Sequence, residues 1–372
     1  MVTKIKIGNI LESNAQTLVN TVNTVGIMGK GIALDFKKRF PEMFKEYEIK
    51  CQRGEVKLGQ PYIFQTLVGP YVINFPTKEH WRSVSKIKDI ENGLNYLINH
   101  IEKWNVESLA VPPLGCGNGQ LEWEEVGPVI YRYLNTLAIP VEIYAPFGTP
   151  ARQLTKEFLE QASEIRANEW SLKDSKFNPN WLVLIEILHE LEKHPYHEPV
   201  GRTIFQKIAY VVTEQGVAIG FNFQQKSYGP FSIEIKKAIT ILANNNLIRE
   251  YQKGKMFQLK VGPSFENVRA RHQNLIDKNK KIIEKTADLF ARMTTNQAEI
   301  ATTIFYSARM LKKGNGTKEI SEKDVFNYVM EWKQKHRPPL DKREVATAIR
   351  NLAILNWVKV KYSDNLPVYE EV

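Results

Sequence analysis

Two apolar periodicities alternate along the first 150 residues. Short runs rich in β-branched and aromatic residues predict strands at 4–10, 17–22, 61–66, 71–75, 109–111 and 141–144. Apolar residues three or four positions apart predict helices at 32–50, with a break near Pro41, and at 86–104 and 123–134. This alternation is typical of an α/β fold with a mostly parallel, mixed sheet and helices on both faces. Ligands in such sheets bind beyond the carboxyl ends of the strands.

The pattern changes near residue 150. A polar helix is predicted at 151–166, and the Asn-, Ser-, Lys- and Pro-rich stretch 167–179 is predicted to be a linker. Apolar spacing then predicts helices at 181–194, 201–214, 232–245, 265–291, 296–312, 321–336 and 341–355. A hairpin at 247–261, turning at Lys253-Gly254-Lys255, follows one of these helices, which is the outline of a winged helix. A strand at 357–362 after the last helix hints at a second one.

These patterns predict three parts: a domain at 1–155, a helix and linker at 156–180, and a mainly α-helical, winged-helix-like region at 181–372. Whether that last region forms two subdomains, 181–263 and 264–372, is left open by the sequence.

The composition and charge of the chain limit the class of protein to which it can belong. No apolar run approaches the roughly 18 residues of a membrane helix, and the N-terminus reads as a strand and not as a signal peptide. Two cysteines are too few for a disulfide framework, so a reducing, cytoplasmic location is expected. The net charge is +10, of which residues 156–372 contribute +8. That excess favours a nucleic-acid or acidic protein partner, with a solvated basic surface as the alternative.

The segment 19–36, VNTVNTVGIMGKGIALDF, runs from a predicted strand into a predicted helix through a glycine-rich turn. Such a turn exposes backbone N–H groups, which together with the helix N-terminus suit a phosphate. Its spacing is neither that of a P-loop, GxxxxGK[ST], nor that of the dinucleotide motif GxGxxG. We therefore predict a phosphate-binding loop of a third kind.

Two further segments leave predicted strands at the same edge. Residues 112–121, PPLGCGNGQL, form a second glycine-rich turn, which is either a second phosphate loop or simply a tight turn. Residues 74–82, NFPTKEHWR, offer a lysine that could act as nucleophile or electrostatic stabiliser, a tryptophan face and an arginine for phosphate. The alternative for this segment is an exposed charged turn with Trp81 as a core anchor. No His, Cys, Asp and Glu set has metal-ligand spacing, so neither a metal nor a cofactor is expected.

The combination of GNIL at 8–11 with VNTVNTVGIMGKGIA, NFPTKEHWR and PPLGCGNGQLEW resembles the macrodomains, which bind ADP-ribose. Within them it is most similar to the DarG-type antitoxins. In that family, DarT-type toxins attach ADP-ribose to thymidine bases in single-stranded DNA, and DarG-type macrodomains remove it. The resemblance covers about residues 1–150. It implies a DNA ADP-ribosyl glycohydrolase whose partners are ADP-ribosylated single-stranded DNA and a DarT-type toxin.

Matching the motifs position by position implies a set of site residues. Lys78 matches the lysine on which the hydrolase class depends. Asn9 stands where macrodomains usually keep an Asp for the adenine. Asn118 stands where related lysine-dependent enzymes use an Asp. Because an amide cannot act as a carboxylate base, donation or positioning by Lys78 is favoured over covalent attack. The ligand-binding set is Gly8, Asn9, Ile10, Asn20, Asn23, Gly29, Lys30, Gly31, Ile32, Ala33, Thr77, His80, Trp81, Gly115, Cys116, Gly117, Asn118 and Gly119.

In the second half, Lys226-Ser227-Tyr228-Gly229-Pro230-Phe231-Ser232 resembles the YGPF-type turn of the Panacea, or SocA-like, antitoxin domain, over about residues 180–262. Ser232 is predicted to cap the following helix. The resemblance implies that the C-terminal region binds and neutralises the toxin, while its basic charge leaves DNA binding open.

Three rival functions remain at this point. The first is a non-catalytic ADP-ribose reader, which would share the glycine loops but not depend on Lys78. The second is a DNA-binding transcription regulator with a ligand-sensing macrodomain. The third is a hydrolase that acts on ADP-ribosylated protein instead of DNA.

Overall fold

The computed structural model describes residues 3–160, 177–194, 197–253, 256–314 and 319–368. Contacts divide the chain into two compact units, Met1–Ser175 with Thr240–Asn244, and Lys176–Ile239 with Asn245–Val372. The predicted boundaries at 155 and 180 stay a prediction, and most of the predicted linker, 167–176, lies outside the described residues. So does the end of the helix predicted at 151–166, of which residues 156–160 are helical.

The first unit contains a six-stranded sheet with the order β1-β6-β5-β2-β4-β3. Its strands are β1 Thr3–Lys6, β2 Thr17–Asn23, β3 Tyr62–Phe64, β4 Tyr71–Lys78, β5 Leu109–Val111 and β6 Val141–Tyr144. All neighbours are parallel except β3, which pairs antiparallel with β4. The predicted mixed, mostly parallel sheet is therefore confirmed.

Helices cover both faces of this sheet. They are α1 Gly31–Arg39, α2 Pro41–Gln52, α3 Ile87–His100 and α4 Trp123–Leu134. Successive strand residues point to opposite faces: Leu18 of β2 packs in one apolar cluster with Phe36 of α1 and Met43 of α2. Its neighbour Val19 belongs to a second cluster, which α3 and α4 complete. This near-continuous apolar run is what a strand buried on both faces requires.

Two strand boundaries differ from the prediction. Strand β1 ends at Lys6, because Ile10–Glu12 forms a 3₁₀ turn capped by the Asn9 side chain. Strand β4 continues through Pro76 to Lys78 instead of ending at residue 75. The edge strand β3 pairs with β4 only as far as Asn74. The N–H that Pro76 lacks therefore breaks no β3 ladder bond, and Lys78 is the last residue of a strand and not part of a loop.

The second unit is largely helical, as predicted. The helices after residue 180 are α5 Trp181–Lys193, α6 Arg202–Glu214, α7 Glu234–Asn244, α8 Phe265–Arg271, α9 Gln273–Phe290, α10 Thr295–Gly314, α11 Glu322–Trp332 and α12 Lys342–Ile354. All belong to the second unit except the last five residues of α7, Thr240–Asn244. Two antiparallel hairpins interrupt them, β7 Gln224–Lys226 with β8 Gly229–Phe231, and β9 Ile248–Lys253 with β10 Met256–Val261. The hairpin β9–β10 follows α7 as the winged-helix outline requires.

Three expectations in this unit are wrong in detail. The helix predicted at 265–291 is two helices, because His272 leaves the helical region at φ −117° and ψ 24°. No strand forms at 357–362, where a single bridge joins Ser321 to Lys361. The turn at 226–232 is a hairpin, and the helix after it begins at Glu234, two residues beyond Ser232.

Candidate active site

Three loops meet at the carboxyl edge of the sheet. Strands β5, β2 and β4 are neighbours in the sheet and run parallel. The glycine-rich loops follow β5 and β2, and the 79–82 segment follows β4. A register shift between Val22 and Asn23 places Asn23 opposite Lys78 at the last position of their strands. The sheet therefore brings together the three segments that the sequence singled out.

Lys78 lies at the junction of these loops. Only 9% of the surface of Lys78 is exposed. The amine Nζ donates a hydrogen bond of 2.8 Å to the backbone carbonyl of Asn118 in the second loop, and one of 3.1 Å to the carbonyl of Trp81. Two carbonyl acceptors from different segments thus hold the nitrogen in a defined place, as a hydrogen-bond donor or a positioned amine needs.

The first loop is organised by Asn23, which is buried. Its side-chain amide donates to the carbonyl of Ile27 at 2.6 Å, and its Oδ1 accepts from the N–H of Val25 at 3.0 Å. The hydroxyl of Tyr47 donates to the Asn23 backbone carbonyl at 2.8 Å. Asn23 therefore shapes the loop, and its contact with the ligand stays a prediction.

Gly31 joins the first loop to the second. It opens helix α1 with φ +58°, a left-handed conformation that favours glycine, and a Cβ here would lie 3.3 Å from Asn118 Nδ2. The backbone of Lys30 before it is extended. The free N–H groups of the first turn of α1 thus open between the two loops, which is the environment that binds phosphate at a helix N-terminus.

The second loop combines a short 3₁₀ turn, Gly117–Gly119, with the half-buried cysteine Cys116 before it. Burial raises the pKa of Cys116 to about 12, and the nearby carboxylates of Glu122 and Glu125 act in the same direction. A thiol with this pKa stays protonated at neutral pH. The thiol of Cys116 is therefore not a nucleophile at neutral pH, and a contact of Cys116 with the ligand stays a prediction.

Asn20 lies deeper than the sequence suggested. It is completely buried in β2, and its amide nitrogen donates to Asn74 Oδ1 at 3.0 Å on the neighbouring strand. Asn74 in turn donates to the hydroxyl of Tyr62 at 3.2 Å. Among the described residues Oδ1 of Asn20 accepts no hydrogen bond. A polar chain thus crosses three strands beneath the site, and a direct contact of Asn20 with the ligand stays a prediction.

His80 and Trp81 lie on the outer side of Lys78. The Nδ1 atom of His80 accepts a hydrogen bond of 3.1 Å from the N–H of Arg82. Partial burial and the positive charges of Arg82 and Lys78 lower the pKa of His80. At neutral pH the ring is therefore neutral, with Nδ1 as acceptor and the proton on Nε2. Trp81 is 38% exposed, so it is not a core anchor.

The far end of the edge holds the residues expected near the adenine. Asn9 is exposed, but its side chain caps the 3₁₀ turn, with Oδ1 accepting from Leu11 N and Nδ2 donating to Glu12, both at 3.1 Å. Strand β6 ends beside β1, where Ala145 N donates to the carbonyl of Lys6 at 2.8 Å. Phe147 follows two residues later and is 81% exposed.

Sequence reasoning missed Phe147. The available signal was an aromatic residue directly after the last strand, in Ala145-Pro146-Phe147-Gly148, at the edge where ligands bind. An exposed phenylalanine just after the strand that pairs with β1 offers a face on which a purine can stack.

The other matched residues lie along the same loops. Gly29 and Lys30 are exposed, Ile32 and Ala33 are half-buried in the first turns of α1, and Ile10 and Thr77 are buried. Within the described part of the chain, no three His, Cys, Asp or Glu side chains are grouped to hold a metal ion. Among the same residues, none of the helices has the length and apolar character needed to cross a membrane.

Comparison with known proteins identifies relatives of the first unit. The Macro domain family model matches residues 19–130. A DNA ADP-ribosyl glycohydrolase from Thermus aquaticus is 38% identical over 229 residues, which cover 60% of this chain and 59% of that protein. A DNA ADP-ribosyl transferase-DNA ADP-ribosyl glycohydrolase fusion protein from Thermosipho africanus is 40% identical over 172 residues, 41% of this chain and 44% of that protein.

Among solved structures, the macrodomain of Mycobacterium tuberculosis DarG is 48% identical, covering 39% of this chain and 98% of that chain with a TM-score of 0.38. The chain spans less than two thirds of the length of the Thermus and Thermosipho proteins, whereas it spans nearly all of the DarG macrodomain. Residues 19–130 form a macrodomain, and over about 60% of its length the chain is similar to the DNA ADP-ribosyl glycohydrolases.

Proposed function

We propose that the chain is a DNA ADP-ribosyl glycohydrolase that removes ADP-ribose from thymidine bases in single-stranded DNA. The observation that carries this proposal is the position of Lys78, whose amine is fixed by the Asn118 and Trp81 carbonyls between two phosphate-type loops. The name of the Thermus aquaticus relative supports the same reaction.

Hydrolysis breaks the bond between ribose C1 and the base nitrogen, and water supplies a hydroxyl to C1 and a proton to the base. Positive, oxocarbenium-like charge develops at C1 as this bond breaks. The loop N–H groups hold the diphosphate, whose negative charge lies close to that carbon. Lys78 acts by donating to the departing base or by positioning it. Covalent attack by Lys78 is the less favoured route, because Asn118 is not a carboxylate base.

In the proposed binding mode, ADP-ribose lies along the carboxyl edge of the sheet. The adenine lies by Asn9 and Phe147, the diphosphate lies between Gly31 and the 115–119 loop, and the second ribose reaches Lys78. The ligand-binding residues matched by motif would line this path. The site needs no metal for this chemistry, since hydrogen bonds and charges positioned by the protein stabilise the transition state.

The test compares wild type, Lys78→Ala and Lys88→Ala on a single-stranded oligonucleotide that carries ADP-ribosylated thymidine. Lys88 is a matched control because its side chain is 76% exposed on α3. We expect Lys78→Ala to lose at least a hundredfold in kcat and Lys88→Ala to lose nothing. Full activity of Lys78→Ala would favour a lysine-independent site, and faster release from modified protein than from DNA would favour the protein-directed rival.

A second function is supported by the Thermosipho africanus relative, in which a DNA ADP-ribosyl transferase and a glycohydrolase form one chain. We infer that the helical second unit binds and restrains a separate DarT-type transferase. Full-length Lys78→Ala should then still inhibit the transferase stoichiometrically, although it cannot reverse the modification. Tight, sequence-specific binding to duplex DNA without any affinity for the transferase would instead support the hypothesis of a transcription regulator.

A further inference from the structure

Trp81 is an exposed aromatic residue fixed directly to the reacting centre. Its backbone carbonyl accepts a hydrogen bond of 3.1 Å from Lys78 Nζ, while 38% of the residue remains exposed. The backbone of Trp81 is therefore held next to the amine. Trp81 belongs to neither of the two apolar core clusters described above, so burial in those clusters does not account for a tryptophan here.

Two other planar groups lie against this ring. The guanidinium carbon of Arg82 lies over the indole, 4.4 Å from its centroid. The ring of His80 has its centroid 5.2 Å away at an angle of 32°. The N–H of Arg82 donates to His80 Nδ1 at 3.1 Å, which ties the three residues together. An aromatic face with a cation beside it is the combination on which nucleic-acid bases stack.

The segment is held to the first loop. Both the N–H and the hydroxyl of Thr24 donate to the carbonyl of Glu79, at 3.0 and 2.8 Å. The next residues of that loop include Val25 and Ile27, which are 42% and 45% exposed. The outer rim of the site is thus braced by hydrogen bonds and presents apolar surface, whereas a solvated turn would be polar.

We propose that Trp81, with Arg82 beside it, stacks on the base of a nucleotide adjacent to the modified thymidine and so makes the site specific for a DNA strand. This proposal deepens the proposed glycohydrolase function and rests on it. A single strand leaves the faces of its bases available, whereas a duplex hides them by pairing and stacking. The Arg82 guanidinium adds a cation for the backbone phosphate next to that base.

The test uses two substrates, ADP-ribosylated thymidine as the free nucleotide and the same group within a single-stranded oligonucleotide. For the oligonucleotide we expect Trp81→Ala to raise KM about tenfold with kcat within twofold of wild type, as loss of one base stack predicts. For the free nucleotide, which lacks the adjacent base, KM should rise much less than for the oligonucleotide. Trp81→Phe should recover most of the loss, because it keeps an aromatic face. Leu67→Ala is the control, since Leu67 is fully exposed before the opposite end of β4.

A binding arm separates this proposal from the proposed function. Fluorescence anisotropy with an unmodified single-stranded oligonucleotide requires no turnover, and we expect Trp81→Ala to bind it about tenfold more weakly than Leu67→Ala does. If wild type cleaves neither substrate, the glycohydrolase proposal fails, while this arm still decides on the strand contact. An equal loss on both substrates, or unchanged oligonucleotide binding by Trp81→Ala, would overturn the stacking proposal.

Discussion

The amine of Lys78 and the backbone carbonyl of Asn118 are joined by a hydrogen bond of 2.8 Å. Asn118 therefore contacts Lys78 through its main chain, while its side-chain amide lies toward Gly31 at the helix N-terminus. One residue thus links the lysine to the loop proposed to hold phosphate, and changing its side chain leaves the carbonyl contact in place.

Replacing Asn118 by Asp separates the two routes open to Lys78. The new carboxylate lies beside the proposed diphosphate site, so we expect KM for ADP-ribosylated oligonucleotide to rise about tenfold by charge repulsion. The kcat should not increase if Lys78 donates or positions. Steady-state kinetics of Asn118→Asp beside uncharged Asn118→Ala measure this, and a higher kcat for the Asp variant alone would indicate a covalent route with Asp as the resolving base.

Gly31→Ala is expected to weaken ADP-ribose binding strongly. An alanine at φ +58° costs about 1–2 kcal/mol in backbone strain, and its Cβ presses on the Asn118 amide at the junction of the two loops. Calorimetric titration with ADP-ribose should show at least a tenfold loss. Gly54→Ala is the control, because Gly54 has φ +68° and no atom within 4 Å of the added Cβ. Equal affinity in the two variants would contradict the loop assignment.

Phe147→Ala tests the adenine end of the proposed path. Loss of a stacking face is worth about 1–3 kcal/mol, so we expect ADP-ribose to bind about 5- to 150-fold more weakly. Ribose 5-phosphate has no adenine, and its affinity should not change. Competition binding with both ligands makes the comparison, and a parallel loss for both would show that Phe147 supports the fold of the edge and not the base.

The sequence predicted the sheet, its covering helices and the meeting of three loops, because apolar period and glycine-rich strand ends reflect local chemistry. It did not predict that Lys78 closes a strand. Pro76 reads as a breaker, and its tolerance depends on β3 ending at Asn74, which is a tertiary relationship. The burial of Asn20 could not be predicted for a related reason, because its hydrogen-bond partner Asn74 lies 54 residues away in the sequence.

Around the hairpin β7–β8, the second unit buries two amines that the sequence did not single out. Lys333 Nζ donates to the carbonyl of Ser227 at 2.7 Å and pairs with Glu299 at 2.6 Å. Lys207 Nζ donates to the carbonyls of Tyr228 and Pro230, the latter at 3.2 Å. The side-chain hydrogen bonds of these two lysines, and not a longer β-ladder, fix the turn between β7 and β8. Helical spacing alone would predict that both residues are ordinary surface lysines.

Lys207 should make the stability of the second unit depend on pH. Burial lowers its pKa from 10.5 to about 8. Between these values the unfolded chain binds a proton that the folded chain has lost, so this group raises the free energy of unfolding as pH rises from 8 to 10.5, by at most about 1.4 kcal/mol per pH unit. Urea unfolding of wild type, Lys207→Met and the exposed-lysine control Lys278→Met at pH 7, 8, 9 and 10 measures it. The free-energy difference between wild type and Lys207→Met should stay level up to pH 8 and then grow in favour of wild type, and a flat difference to pH 10 would show that Lys207 keeps its proton in the fold.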